Sequence, residues 1–222
     1  GSWPGPWNNR TVTGPAAALF GVALACSALD WVAVARRIRP LEYVCKPAAA
    51  AAFLATALAL DPASDASRSW CCVALACCIV GDVFLMLPRD AFVPGLAAFA
   101  AAQSCFAVSF AFQEPTALRL VIALVLVVPG TVVLTRRFVG ALARGGDQSM
   151  APAIVFYAVV ISAMAVGAVA GGTAVGIAGA LLFLMSDSLI AEHRFGLARE
   201  WQPLTIIVTY HLALTGLVLG LL

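Results

Sequence analysis

Residues 172–192 read GTAVGIAGALLFLMSDSLIAE. The stretch is apolar from Ala174 to Met185, is broken by Ser186-Asp187-Ser188, and closes on Glu192. It has the length of about 20 residues that a helix needs to cross the hydrocarbon core of a bilayer. An ionisable group inside such a helix costs at least about 2.5–3.5 kcal/mol on insertion scales, so Asp187 needs a reason to be there. Working outward, seven further stretches have the same length and character: Pro15–Ala35, Leu41–Leu60, Ser69–Leu87, Phe92–Phe112, Thr116–Thr135, Ala151–Ala170 and Pro203–Leu222. The connections are short and carry helix breakers, including Arg39-Pro40, Asp61-Pro62, Pro88-Arg89-Asp90, Glu114-Pro115 and Gly145-Gly146-Asp147. No run alternates in the manner of a membrane barrel strand. The expected fold is therefore all-α: a polytopic membrane protein whose residues 15–222 form a single bundle of eight transmembrane helices. Residues 1–14 read as a short extramembrane arm behind Gly1-Ser2, which has the form of a tag-cleavage scar. The first apolar stretch is too long for a signal peptide and lacks a basic region before it, so it reads as a retained span.

Composition agrees. Of 222 residues 63% are hydrophobic and 11% charged, against roughly 25% charged in an average soluble domain. The mean hydropathy is +1.00. A net charge of +2 is too small for an electrostatic nucleic-acid footprint, so no nucleic-acid partner is expected. The seven cysteines, among them the doublets Cys71-Cys72 and Cys77-Cys78, lie in or beside apolar runs without CxxC spacing and read as small buried residues. The two histidines stand eighteen positions apart with no HxxxH or HExxH pattern, so neither a metal nor another cofactor is expected. Serine-hydrolase and P-loop signatures are also missing. With the N-terminus outside, ten of the thirteen Lys and Arg residues fall on the inner side and Arg10, Arg68 and Arg119 on the outer. That asymmetry predicts an N-out, C-out orientation.

The charges that do not mark loops share one depth. Asp30, Asp82 and Asp187 each lie five residues before the inner end of a span, roughly 7–8 Å in at 1.5 Å per residue. Lys46, Tyr157 and His211 enter on spans of the opposite direction at similar depth. These residues predict a polar layer in the cytoplasmic half of an integral protein of a bacterial plasma membrane. Asp30 and Lys46 are near enough to their helix ends to snorkel or to pair with loop arginines. Asp82 and Asp187, on short side chains in the polar breaks Gly81-Asp82 and Ser186-Asp187-Ser188, are not. Gln103, mid-span on the fourth helix, reads as an interhelical hydrogen bond. His193, beside Arg194, reads as solvated.

At these residues the chain resembles the YhhN family of membrane proteins, the lysoplasmalogenase family. The resemblance runs through Tyr43-x-x-Lys46-Pro47, Gly81-Asp82-Val83-Phe84-Leu85-Met86, Phe92-x-x-Gly95-Leu96-x-x-Phe99, Tyr157, the block Gly179 to Ser188, and Tyr210. Gln103 and Phe106 stand where the family pattern has a His and a Tyr, and His211 and Leu214 where it has a Tyr and a Gln. One imidazole is thus exchanged for another at about the same layer. The resemblance implies hydrolysis of the vinyl ether bond of a lysoplasmalogen, a lysophospholipid-like substrate drawn from membrane lipids. Such a bond breaks by proton delivery to its β-carbon, addition of water to the resulting oxocarbenium-like cation, and collapse of the hemiacetal. The reaction wants one carboxylic acid and one carboxylate, as glycosidases do. Burial favours the first and a neighbouring ammonium the second. The catalytic candidates are Asp82 and Asp187, with Lys46 deciding which is ionised. Tyr43, Asp30, Gln103, Tyr157, Ser186, Tyr210 and His211 are candidates for binding substrate or orienting water. Arg89, Arg136 and Arg194 are placed to hold the phosphate. The alternatives are a transporter or lipid-binding protein using the same pocket, and a structural partner with no pocket. Oligomeric state is left open by the sequence.

Overall fold

The computed structural model describes residues 14–87, 91–145, 148–196 and 198–222. Eight α-helices run in order: α1 (Gly14–Ala35), α2 (Arg39–Ala59), α3 (Asp65–Met86), α4 (Phe92–Ala111), α5 (Ala117–Gly145), α6 (Ala151–Gly171), α7 (Ala174–Phe195) and α8 (Gln202–Leu219). All eight are long and apolar enough to cross a membrane, and the described residues contain no strand. The bundle is apolar outside as well as inside. Leu118, Val125, Leu126 and Val133 on α5, Phe156 and Val159 on α6, and Val22 and Leu29 on α1 are all exposed. Such a surface is stable against lipid and not against water.

Seven helices close a ring, in the order α1, α2, α3, α4, α6, α7, α8 and back to α1, while α5 packs outside it on α6 and α7. Helix α8 also touches α2 and is extensively buried, whereas α5 buries only Ala123, Val127 and Phe138. The middle of the ring is filled by aromatic side chains set edge to face. Phe183 lies 5.5 Å from Tyr210 and 6.2 Å from both Phe99 and Phe106, ring centre to ring centre. Such pairs add about 0.5–1.5 kcal/mol each beyond the area they bury.

Glycine lets α7 and α8 meet closely. A Cβ built on Gly179 would stand 2.7 Å from the Leu217 nitrogen and 2.8 Å from the Gly216 carbonyl carbon. One on Gly216 would stand 2.7 Å from the Gly179 Cα. Helices α7 and α8 therefore cross backbone to backbone through small residues, the usual device where no hydrophobic force drives helices together in lipid.

The helix ends differ from the sequence-based spans for local reasons. Helix α3 starts at Asp65 rather than Ser69, because Ser64 caps it and its side chain accepts a hydrogen bond from the Ser67 N–H at 3.3 Å. Helix α7 starts at Ala174, capped by Thr173, and runs on to Phe195. Helix α5 continues ten residues past Thr135 to Gly145, carrying Arg136, Arg137 and Arg144 on helix rather than loop. Arginine and alanine there are good helix formers, so the helix outlasts its apolar part. The cysteines are all free. Arg36, Arg37, Arg39, Arg136, Arg137, Arg144, Arg194 and Arg199 lie toward one end of the bundle, hereafter the arginine-rich end, and Arg68 and Arg119 toward the other. Arg89 and residues 1–13 of the arm, Arg10 among them, lie outside the described residues, while Gly14 opens α1.

Candidate active site

Three polar groups occupy the arginine-rich half of the ring. The first joins α2, α3 and α8. Lys46 Nζ lies 3.3 Å from Asp82 Oδ1, and the Tyr210 hydroxyl donates to Asp82 Oδ2 at 2.7 Å. Asp82 is fully buried. The glycine before it has a packing reason: the Phe99 ring lies against Gly81, where a Cβ would meet it at 2.7 Å. Phe99 in turn stacks edge-on against Tyr210 at 6.0 Å, so α3, α4 and α8 lock around the carboxylate.

The second group joins α4, α6 and α7. Asp187 Oδ2 accepts from the Tyr157 hydroxyl and from Gln103 Nε2, the latter at 3.3 Å. No cation among the described residues pairs with Asp187. Unlike Asp82, it is only half-buried and opens onto two small cavities, both shared with Tyr157. One, of about 40 Å³, is walled by Leu85, Phe99 and Ile190 among others; the second, of about 60 Å³, lies toward α5 and includes Thr131, Thr135 and Ser188. Each has room for a water, which needs roughly 10–15 Å³. Helices α3 and α7 are not neighbours in the ring, yet their two carboxyl groups lie within electrostatic reach of one another across the aromatic centre.

The third group joins α1 and α8. Trp31 Nε1 donates to His211 Nδ1 at 3.0 Å, and His211 Nε2 faces Asp30 Oδ2 at 4.0 Å. A ring nitrogen that accepts carries no proton, so the tryptophan leaves the His211 proton on Nε2, the side of Asp30. Both Asp30 oxygens are buried and neither has a hydrogen-bond partner among the described residues. Lys46 lies within electrostatic reach of Asp30 and His211 as well as Asp82, and so links the first and third groups.

The structure thus brings together Lys46, Asp82 and Tyr210; Gln103, Tyr157 and Asp187; and Asp30 and His211. Both Asp30 and Lys46 turn toward buried partners, Lys46 to a carboxyl on α3 and Asp30 to an imidazole on α8. Two predicted site residues stand apart. Tyr43 is 40% exposed and makes no hydrogen bond or ring contact with these groups. Ser186 is buried and donates to the Ile206 carbonyl at 3.1 Å, tying α7 to α8. His193 is exposed, as expected, and meets Gln202 Oε1 at 3.1 Å. Arg194 packs over the Phe92 ring at 5.1 Å. Sequence reasoning missed Trp31, and it had Phe99 only as a piece of the family pattern and not as a wall of the site. Trp31 could have been found by its place next to Asp30 at a depth below the usual aromatic belt.

These features define a class: a polytopic helical membrane protein with carboxyl groups buried among its spans. Residues 41–221 match the YhhN family, and the chain belongs to that family. Among curated proteins it is similar to human "Lysoplasmalogenase TMEM86B", with 33% identity over 142 residues, which is 63% of this chain and 58% of that protein. The chain thus spans little more than half the length of that relative. No solved structure matches.

Proposed function

We propose that the protein is a membrane hydrolase that cleaves the vinyl ether bond of lysoplasmalogens, releasing a fatty aldehyde and a glycerophospho-head group. The observation that carries the reading is the unequal setting of the two carboxyl groups. Asp82 is paired with an ammonium and sealed from the cavities, while Asp187 has only neutral donors and opens onto them. Family membership and the activity named for the human relative point to the same chemistry.

The roles follow from these settings. Both neutral donors bond Asp187 Oδ2, which leaves Oδ1 to carry a proton. Asp187 passes that proton to the β-carbon of the vinyl ether, and the electron pair of the double bond forms the new C–H bond. The cation left on the α-carbon is shared with the ether oxygen. Asp82, held as carboxylate by Lys46, stabilises that cation through a low-dielectric interior, where charge acts over longer distances than in water. Asp187, now a carboxylate, takes a proton from the water that adds to the α-carbon, the same reversal of acid and base used by retaining glycosidases. The hemiacetal then loses its glycerol oxygen, which leaves with a proton as an alcohol. One water is consumed, and Asp187 ends as it began.

The test is purified protein in detergent supplied with a lysoplasmalogen, with free aldehyde measured over time. Wild type is expected to release aldehyde and both Asp187→Asn and Asp82→Asn to lose it. No release from wild type above the Asp187→Asn background overturns the reading. Flux or binding without product would support the transporter instead.

A further inference from the structure

Helices α5 and α6 line an open groove of about 700 Å³ on the lipid-facing side of the bundle. That volume falls in the roughly 300–1,000 Å³ range of small-molecule sites. Its walls are almost wholly apolar: Leu124, Val128 and Val132 on α5, and Val159, Ala163 and Val166 on α6. Two features separate it from a featureless lipid-facing surface. At the arginine-rich end it finishes on Arg136, an exposed guanidinium with no ion-pair partner among the described residues. Near that same end it shares Thr131, Thr135 and Ala158 with the small cavity that reaches Tyr157 and Asp187. The arrangement is one positive charge, then three residues shared with a cavity at a carboxyl group, then a long apolar trough. That is the layout of a lipid with a phosphate in its head and one hydrocarbon chain, whose labile bond lies where head and chain meet.

We propose that the α5–α6 groove is the binding channel through which a single-chain phospholipid enters sideways from the bilayer. Arg136 holds its phosphate, the chain lies along the groove, and the first carbons of the chain are presented to Asp187 between Thr131, Thr135 and Ala158. The peripheral position of α5 has a use in this account, since a helix that buries only three residues can move aside to admit the head end. The inference rests on the proposed hydrolase reading for the identity of the substrate, but its binding test stands apart from hydrolysis.

The experiment measures binding of a radiolabelled lysophospholipid with a saturated alkyl ether chain, which has no vinyl bond to cleave, to purified protein in detergent. Ala163→Trp and, as a gentler filling at a more exposed place, Val159→Phe occlude the groove. Val22→Phe, on the lipid face of α1, is the matched control. Both groove variants are expected to bind at least about tenfold more weakly than wild type at unchanged Tm, and the control to bind normally. Arg136→Gln is expected to weaken the lysophospholipid by about tenfold while leaving an alkylglycerol without phosphate unaffected. Wild-type binding by both groove variants overturns the proposal. So does equal displacement of the probe by a two-chain phospholipid, which would make the groove an ordinary annular site. A change of oligomeric state in the groove variants would assign the groove to a second copy and overturn it too. Groove-dependent binding without cleavage of a lysoplasmalogen leaves the channel standing and removes the hydrolase; unchanged cleavage by the filled variants does the reverse.

Discussion

Asp187 and Asp82 are the same residue type in the same layer, and their neighbours make them different groups. Asp187→Asn keeps the size and the bond from Tyr157 but has no acidic proton to give, so aldehyde release is expected to fall by about 10²–10⁴-fold, the usual share of general acid–base catalysis. Tyr157→Phe removes one of two donors to Oδ2 and is expected to cost less, about tenfold in kcat, with binding of the alkyl ether probe unchanged. The Lys46–Asp82 pair makes a stability prediction. Lys46→Met leaves a carboxylate buried without its cation and is expected to cost about 3–5 kcal/mol, read as a fall in Tm in detergent. Lys46→Met together with Asp82→Asn should recover much of that loss, whereas independent contributions would simply add. These residues were legible in the sequence because charge is scarce there: a carboxyl group five residues inside an apolar span stands out. Which acid meets which partner was not legible. Pairing depends on the rotation of each helix and on which helices become neighbours. The sequence pattern placed Lys46 and Tyr157 at one depth with both aspartates, and only packing gives Lys46 to Asp82 and Tyr157 to Asp187. Trp31 escaped notice for the same reason, since its partner His211 is 180 positions away.

Helices form here with little help from caps or amphipathic pattern, because in lipid the backbone must satisfy its own hydrogen bonds. That is why hydropathy alone located all eight elements, and why their ends were off by several residues wherever a cap or a run of helix-forming polar residues lay beyond the apolar part. Ser64 lengthened α3, and the arginines lengthened α5. The close contact between α7 and α8 was hidden in the same way, since glycine is common in membrane helices and only the structure singles out Gly179 and Gly216. Gly179→Ala adds a methyl where backbone atoms stand at 2.7–2.9 Å, so α7 and α8 must part. The expected cost is about 1–3 kcal/mol in thermal stability, with activity reduced as well because Tyr210 and Phe183 sit on the separated faces.

Arginine placement is the property that belongs to the molecule as a whole. The arginine-rich end carries the α1–α2, α5–α6 and α7–α8 connections, and the positive-inside rule assigns that end to the cytoplasm. In a background freed of the native cysteines, Asp61→Cys is therefore expected to react with a membrane-impermeant maleimide on intact cells and Glu200→Cys to be protected; the opposite pattern reverses the orientation. All seven ring helices bring side chains to the polar layer and α5 stays outside, so in the proposed reading the site is enclosed on most sides and approached from the bilayer on one. The central claim is that carbon protonation from a buried carboxyl group starts the cleavage. It is tested most directly by running the reaction on a lysoplasmalogen in D₂O and examining the aldehyde by mass spectrometry. One deuterium is expected on the carbon next to the carbonyl, with its appearance abolished in Asp187→Asn. An aldehyde released by the wild-type protein without deuterium at that carbon would contradict it.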